Sequence, residues 1–242
     1  MARILPFILI LLVILYLNRT YALLFDYPGE KGLQSPFTET SLILPGDSST
    51  GSAKYAVLGA SLSAGVGSAD YHTTYPYFLA EKLAKNYHQL NLVILAVPGA
   101  TTADVINNQL PRAITENPDY ITLLTGINDL RKHGTLDDFT TKYYQLVRSL
   151  KAHTHAKILL LNLPYLGSSA ITYPPYNWII DWRMHEYNDI IKATAQAMQL
   201  PMADIYSGTR TAAGSDTSYY SVDQFHPSAK GYILWSSLLN AY

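Results

Sequence analysis

The chain has 242 residues, 48% of them hydrophobic and 14% charged, and its 17 Lys and Arg against 18 Asp and Glu leave a formal net charge of −1. That length and apolar content supply a substantial buried core, while the near-neutral balance removes the electrostatic case for nucleic acid as a partner. Cysteine is absent, which excludes a thiol nucleophile, a thiolate zinc site and a disulfide framework.

Arg3 precedes an apolar run, Ile4–Leu17, that is followed by Asn18, Arg19 and Thr20. The run is shorter than the roughly 20 residues a helix needs to cross a bilayer core. It fits a cleavable export signal, with Thr20 and Ala22 as small residues before a cut. It equally fits a retained anchor that borrows residues on both sides. Either reading of residues 1–24 puts the rest of the protein outside the cytoplasm, secreted or held at a membrane. Residues 25–53 carry Pro28, Pro36, Pro45, Gly29, Gly32, Gly46 and a polar Asp47–Ser52 stretch, with little periodicity, and read as a linker.

Residues 54–242 read as one domain in which short apolar runs alternate with helical patterns. Tyr55–Leu58, Leu92–Leu95, Ile121–Leu124, Ile158–Leu161 and a shorter run at Met202–Ile205 predict five buried strands. Between them the spacing predicts helices over Pro76–Asn86, Thr102–Ile114, Leu136–His153 and Tyr176–Met198, with a last helix over Ser228–Leu239 in which Ser228 is placed to cap. This alternation predicts an α/β fold with a mostly parallel five-stranded sheet covered on both faces. In such sheets the working residues sit on loops at the carboxyl ends of the strands.

Four of those loops carry chemistry. After the first strand comes Gly59-Ala60-Ser61-Leu62-Ser63-Ala64-Gly65, where Ser61 can present its hydroxyl at the strand end. The pattern is neither the Gly-x-Ser-x-Gly elbow, since residue 63 is serine, nor a dinucleotide or phosphate loop. After the second strand, Gly99 in Pro98-Gly99-Ala100 can let a backbone N–H approach a developing oxyanion. After the third, Asn128 in Gly126-Ile127-Asn128-Asp129 can add a side-chain donor. Near the C-terminus, Asp223-Gln224-Phe225-His226-Pro227 places a carboxylate three residues before an imidazole, the pairing that holds a histidine as general base. Each loop alone is equally a plain turn. Together they supply nucleophile, base, orienting acid and oxyanion donors, the parts acyl transfer requires. His153 and His155 at a helix end read as solvated residues rather than metal ligands, and the chemistry needs no metal or cofactor.

In these blocks, and in the stretch Gly99–Leu110 (GATTADVINNQL), the chain resembles the SGNH hydrolase (GDSL-like lipase/esterase) superfamily over about Lys54–Tyr242, including lysophospholipase-like esterases. The resemblance implies a three-layer α/β/α sandwich of flavodoxin-like type and a serine ester hydrolase working through an acyl-enzyme. It implies Ser61 as nucleophile, His226 as base, Asp223 as its orienter, and Ser61 N–H, Gly99 N–H and Asn128 as oxyanion hole. The family usually has aspartate where this chain has Ala60. An O-acyltransferase with the same triad, or a non-catalytic extracellular binding domain, are the alternative readings. The expected partner is a small-molecule, lipid or glycan ester. Tyr165, Tyr173, Tyr176, Tyr219, Tyr220 and Phe225, in or beside the loops Pro164–Pro175 and Tyr206–Ser221, are expected either to wall its binding site or to cover the loop bases.

Overall fold

A computed structural model describes residues 4–26, 32–49, 51–132, 134–213 and 216–239. Residues 1–3, the Pro28 and Gly29 of the predicted linker, His133, and residues 214–215 and 240–242 of the predicted domain lie outside the described residues. Among those described, the first helix, α1, runs from Leu5 to Phe25. The sheet has six strands: β1 Ser41–Pro45, β2 Ser52–Gly59, β3 Gln89–Ile94, β4 Tyr120–Leu124, β5 Lys157–Leu161 and β6 Met202–Ala203. Their order is β1-β3-β2-β4-β5-β6.

The five strands expected from apolar runs are all present and pair in parallel, β3 with β2, β2 with β4, β4 with β5 and β5 with β6. Burial on both faces explains why they read as continuous rather than alternating: every residue of β4 is buried. The sixth strand corrects the expectation of five. β1 lies in the stretch read as linker and pairs antiparallel with β3, from Ser41 opposite Val93 to Pro45 opposite Gln89. Only Leu44 of β1 is buried. A short, half-solvated edge strand ending in proline carries little apolar signal, and proline is tolerated there because an edge leaves one side of the ladder unused.

The helices are α2 Tyr75–Ala84, α3 Thr102–Asp104, α4 Leu110–Glu116, α5 Ile127–Arg131, α6 Leu136–His153, α7 Tyr176–Met198, α8 Ile205–Ala213 and α9 Ala229–Leu238. A π-helical turn, Val105–Gln109, joins α3 to α4. Helices α2, α8 and α9 pack together as one layer and α4, α6 and α7 as the other, which completes the α/β/α sandwich. Ser228 caps α9 by accepting the Gly231 N–H.

The loop expected over Tyr206–Ser221 instead begins as helix α8. Its first N–H groups, on Ile205 and Tyr206, donate to Asn162 Oδ1 at 2.7 and 3.0 Å. Asn162 follows β5, so a distant side chain shares the start of α8 with the local Asp204, whose Oδ1 accepts the Ser207 N–H at 3.1 Å.

Candidate active site

Ser61 follows β2 in a tight turn, where the Ala64 N–H donates to the Ala60 carbonyl and the Val66 N–H to that of Ser61. Two devices from elsewhere fix this turn. The Tyr232 hydroxyl, on α9, lies 2.8 Å from the Val66 carbonyl and 3.1 Å from that of Leu62. The Tyr75 hydroxyl, on α2, donates to Ser63 at 2.9 Å. Ala60 is buried in the apolar core.

His226 lies on a loop closed like a hairpin. The Ser221 N–H donates to the His226 carbonyl at 2.8 Å, and Tyr220 bridges to Pro227. Gln224 turns the chain with a left-handed φ of 61°, and its carbonyl accepts the Ser168 N–H at 2.8 Å. Gly67 presses against this loop. A Cβ on it would meet the Pro227 carbonyl oxygen at 2.3 Å and His226 Cβ at 2.8 Å.

These loops bring Ser61 and His226 together across 165 residues, with Ser61 Oγ 2.9 Å from His226 Nε2. His226 Nδ1 lies 2.6 Å from Asp223 Oδ2. All three residues are buried. Burial alone would raise the Asp223 carboxyl. The hydrogen bond and charge of His226, with the N–H of Phe225 and the hydroxyl of Ser221, outweigh it and bring the group down to about 2. An ionised carboxylate only accepts, so Nδ1 carries the hydrogen of the neutral ring and Nε2 accepts from the Ser61 hydroxyl. The other Asp223 oxygen accepts from Ser221 Oγ at 2.7 Å and from the Phe225 and His226 N–H groups, each at 3.0 Å. The carboxylate is therefore held at both oxygens.

Gly99 is exposed on the loop after β3, and its carbonyl accepts from Lys132 Nζ at 3.1 Å. Asn128 opens α5 after β4 and donates one amide hydrogen to the Ala100 carbonyl at 2.9 Å. An amide NH₂ carries two hydrogens, so the second is left for another acceptor. Asp129 ties the same two loops together by accepting from the Thr102 N–H, at 2.9 Å to the nearer oxygen, and from the Thr102 hydroxyl at 3.1 Å. Burial pushes its carboxyl up, partly offset by those bonds.

Of the aromatic residues expected either to wall the binding site or to cover the loop bases, Tyr165, Tyr219, Tyr220 and Phe225 line one cavity with Leu62 and Trp235. Tyr176 lies elsewhere, with its ring edge-on to Tyr21 and Phe25 of α1. His153 bonds the Ser149 carbonyl and His155 bonds Asn117 and Asp119; no metal-binding cluster of acidic and histidine residues occurs among the described residues.

Three supporting residues escaped the sequence reading. Gln109 holds the backbone of Gly59, Ser221 bonds the Asp223 carboxylate, and Gly67 presses on the loop of His226. Only Gln109 left a signal, because it falls inside the family-like GATTADVINNQL stretch.

The GDSL-like lipase/acylhydrolase family model matches residues 57–234. The spore germination lipase LipC of Bacillus licheniformis is 25% identical over 213 residues, covering 78% of this chain and 95% of that protein. Among solved structures, an extracellular lipase from Streptomyces rimosus superposes with a TM-score of 0.63 at 18% identity, over 78% of this chain and all of that one. A variant acetyl xylan esterase from Geobacillus stearothermophilus gives 0.62 at 18%, over 78% and 94%. These superpositions show the shared fold.

Proposed function

The chain belongs to the GDSL-like lipase/acylhydrolase (SGNH hydrolase) family and is a hydrolase of ester bonds, and from that premise we propose that it works through a Ser61–His226–Asp223 triad and an acyl-enzyme. Ser61 Oγ attacks the ester carbonyl carbon while His226 Nε2 takes its proton. The C–O bond to the alcohol then breaks, and the imidazolium returns the proton to the leaving oxygen. Water repeats the sequence on the acyl-enzyme and releases the acid. Asp223 remains ionised throughout, holding the ring and offsetting its transient charge.

Ser61 N–H, Gly99 N–H and the second amide hydrogen of Asn128 are the proposed oxyanion donors. Losing one such donor typically costs about 2.7–4 kcal/mol of transition-state stabilisation. The observation that carries the proposal is the unbroken hydrogen-bonded chain from Ser61 Oγ through both nitrogens of His226 to Asp223, at 2.9 and 2.6 Å. Lipid esters are the proposed substrate class, in keeping with the similarity to the spore germination lipase of Bacillus licheniformis. The apolar α1 supports an extracytoplasmic site of action.

The test is hydrolysis of short p-nitrophenyl esters, with fluorophosphonate labelling located by mass spectrometry. Turnover by the native chain, its loss in Ser61→Ala and a label on the peptide holding Ser61 are expected. A folded Ser61→Ala variant that hydrolyses normally would overturn the assignment.

A further inference from the structure

Helix α1 has a mean hydropathy of 2.1 over Pro6–Phe25 although Asn18, Arg19 and Thr20 interrupt it, and its two ends differ. The C-terminal part is built into the domain. Thr20 and Leu24 are buried, the Tyr16 hydroxyl donates to the Pro174 carbonyl at 2.9 Å, and Arg131 Nη2 donates to the Phe25 carbonyl at 2.6 Å. The part standing clear, Ile4 to Leu15, is exposed wherever its side chains are described. At 1.5 Å per residue it reaches only about 20 Å, short of the roughly 30 Å hydrocarbon core. It can enter a bilayer deeply only if the face of the domain beside it is drawn against the membrane surface.

That face is suited to the contact. Trp178 and Trp182, one turn apart on α7, are 66% and 60% exposed, with Ile179 beside them at 46%. Tryptophan is favoured at the membrane–water boundary, where its ring is apolar and its N–H stays wet. The same face adjoins the catalytic edge. Pro174 belongs to the loop after β5, and that loop bonds the catalytic loop through Ser168 and Gln224. Arg131, which holds the end of α1, stacks its guanidinium 4.9 Å over the ring of Phe225, between Asp223 and His226.

We infer that α1 and the first turns of α7 form one surface that rests on a lipid bilayer, and that the ester reaching Ser61 is one held in that bilayer. The second half of this statement rests on the esterase reading above; the first does not.

The three tryptophans give the test, since Trp235 is buried. The full chain is mixed with phosphatidylcholine vesicles, plain or brominated in the acyl chains, and fluorescence is followed in parallel with hydrolysis of a vesicle-embedded ester and of a soluble p-nitrophenyl ester. Brominated vesicles are expected to quench the native chain, and Trp178→Ser/Trp182→Ser to abolish the quenching. The variant is expected to cleave the embedded ester about tenfold more slowly, because interfacial binding scales with buried apolar area, and the soluble ester at the native rate. A chain that cleaves soluble esters but is not quenched overturns the membrane surface alone. Quenching with no hydrolysis of either ester supports the surface and overturns the esterase reading. Equal slowing on both esters overturns the membrane-held substrate.

Discussion

Gln109 grips both backbone polar groups of Gly59, accepting its N–H at 2.9 Å and donating to its carbonyl at 2.8 Å. Gly59 ends β2 two residues before Ser61 and has a φ of 140°, and a Cβ there would meet the Leu124 carbonyl oxygen at 2.1 Å. The turn that presents Ser61 is therefore held in a backbone state open to glycine, with the Gly59 N–H bonded by this side chain. The π turn Val105–Gln109 supplies that side chain, and the extra residue in the turn sets the direction of everything after it.

Gln109→Ala leaves the buried Gly59 N–H without its partner, while the Gly59 carbonyl keeps the Val97 N–H at 3.2 Å. Urea unfolding should report a loss of about 1–3 kcal/mol for that unsatisfied group, with kcat falling as the Ser61 turn loosens. An unchanged unfolding midpoint would show that the grip contributes nothing.

The Asp223 carboxyl lies at about 2 in the folded protein against an ordinary 3.8. Its folded value is depressed, so its stabilisation is complete above the ordinary carboxylate range and is lost as pH falls from about 4 to 2. The shift corresponds to roughly 2 kcal/mol. Asp223→Asn should flatten that part of the stability–pH curve, and should lower kcat by about 10³–10⁴-fold at neutral pH because the amide no longer selects the correct histidine tautomer. A native-like acid limb in the variant would contradict the assignment.

Tyr232→Phe and Tyr143→Phe form a contrasting pair. The Tyr232 hydroxyl serves carbonyls of the nucleophile turn, so its removal should cost about 1–2 kcal/mol and reduce activity. The Tyr143 hydroxyl is buried with no hydrogen-bond partner, and burial pushes its pKa far up. Removing it should be neutral or stabilising by up to about 1 kcal/mol. Thermal melts of both variants would decide, and equal destabilisation would refute the distinction.

Gly67→Ala places a methyl group against the Pro227 carbonyl and His226 Cβ, at a φ of 102° that L residues rarely adopt. The expected result is a folded but less stable protein, by roughly 1–3 kcal/mol, whose kcat falls more than its KM changes, because the displaced loop carries the base. Retention of native kcat would mean the loop yields without moving the ring.

Helices α6 and α7 begin and end where the 3.6-residue pattern placed them, and the five parallel strands follow the apolar runs. These features are local. A strand buried on both faces must be apolar, and a helix with one buried face must repeat with the helical period. The meeting of Ser61 with His226 and Asp223 follows for a related reason: a parallel sheet gathers the loops at its strand ends, so chain order predicts proximity.

The amino-acid sequence by itself thus determined the layered α/β architecture, because burial is written into side-chain pattern. Tertiary structure alone decided that Ser41–Pro45 joins the sheet, that Asn162 bonds the first N–H groups of α8, that Gln109 holds Gly59 and that Arg131 links the end of α1 to Phe225. Each of these depends on a partner tens of residues away or more. A hydrogen bond between such distant groups leaves no periodicity in either segment, and exists only once the core has packed and set their separation.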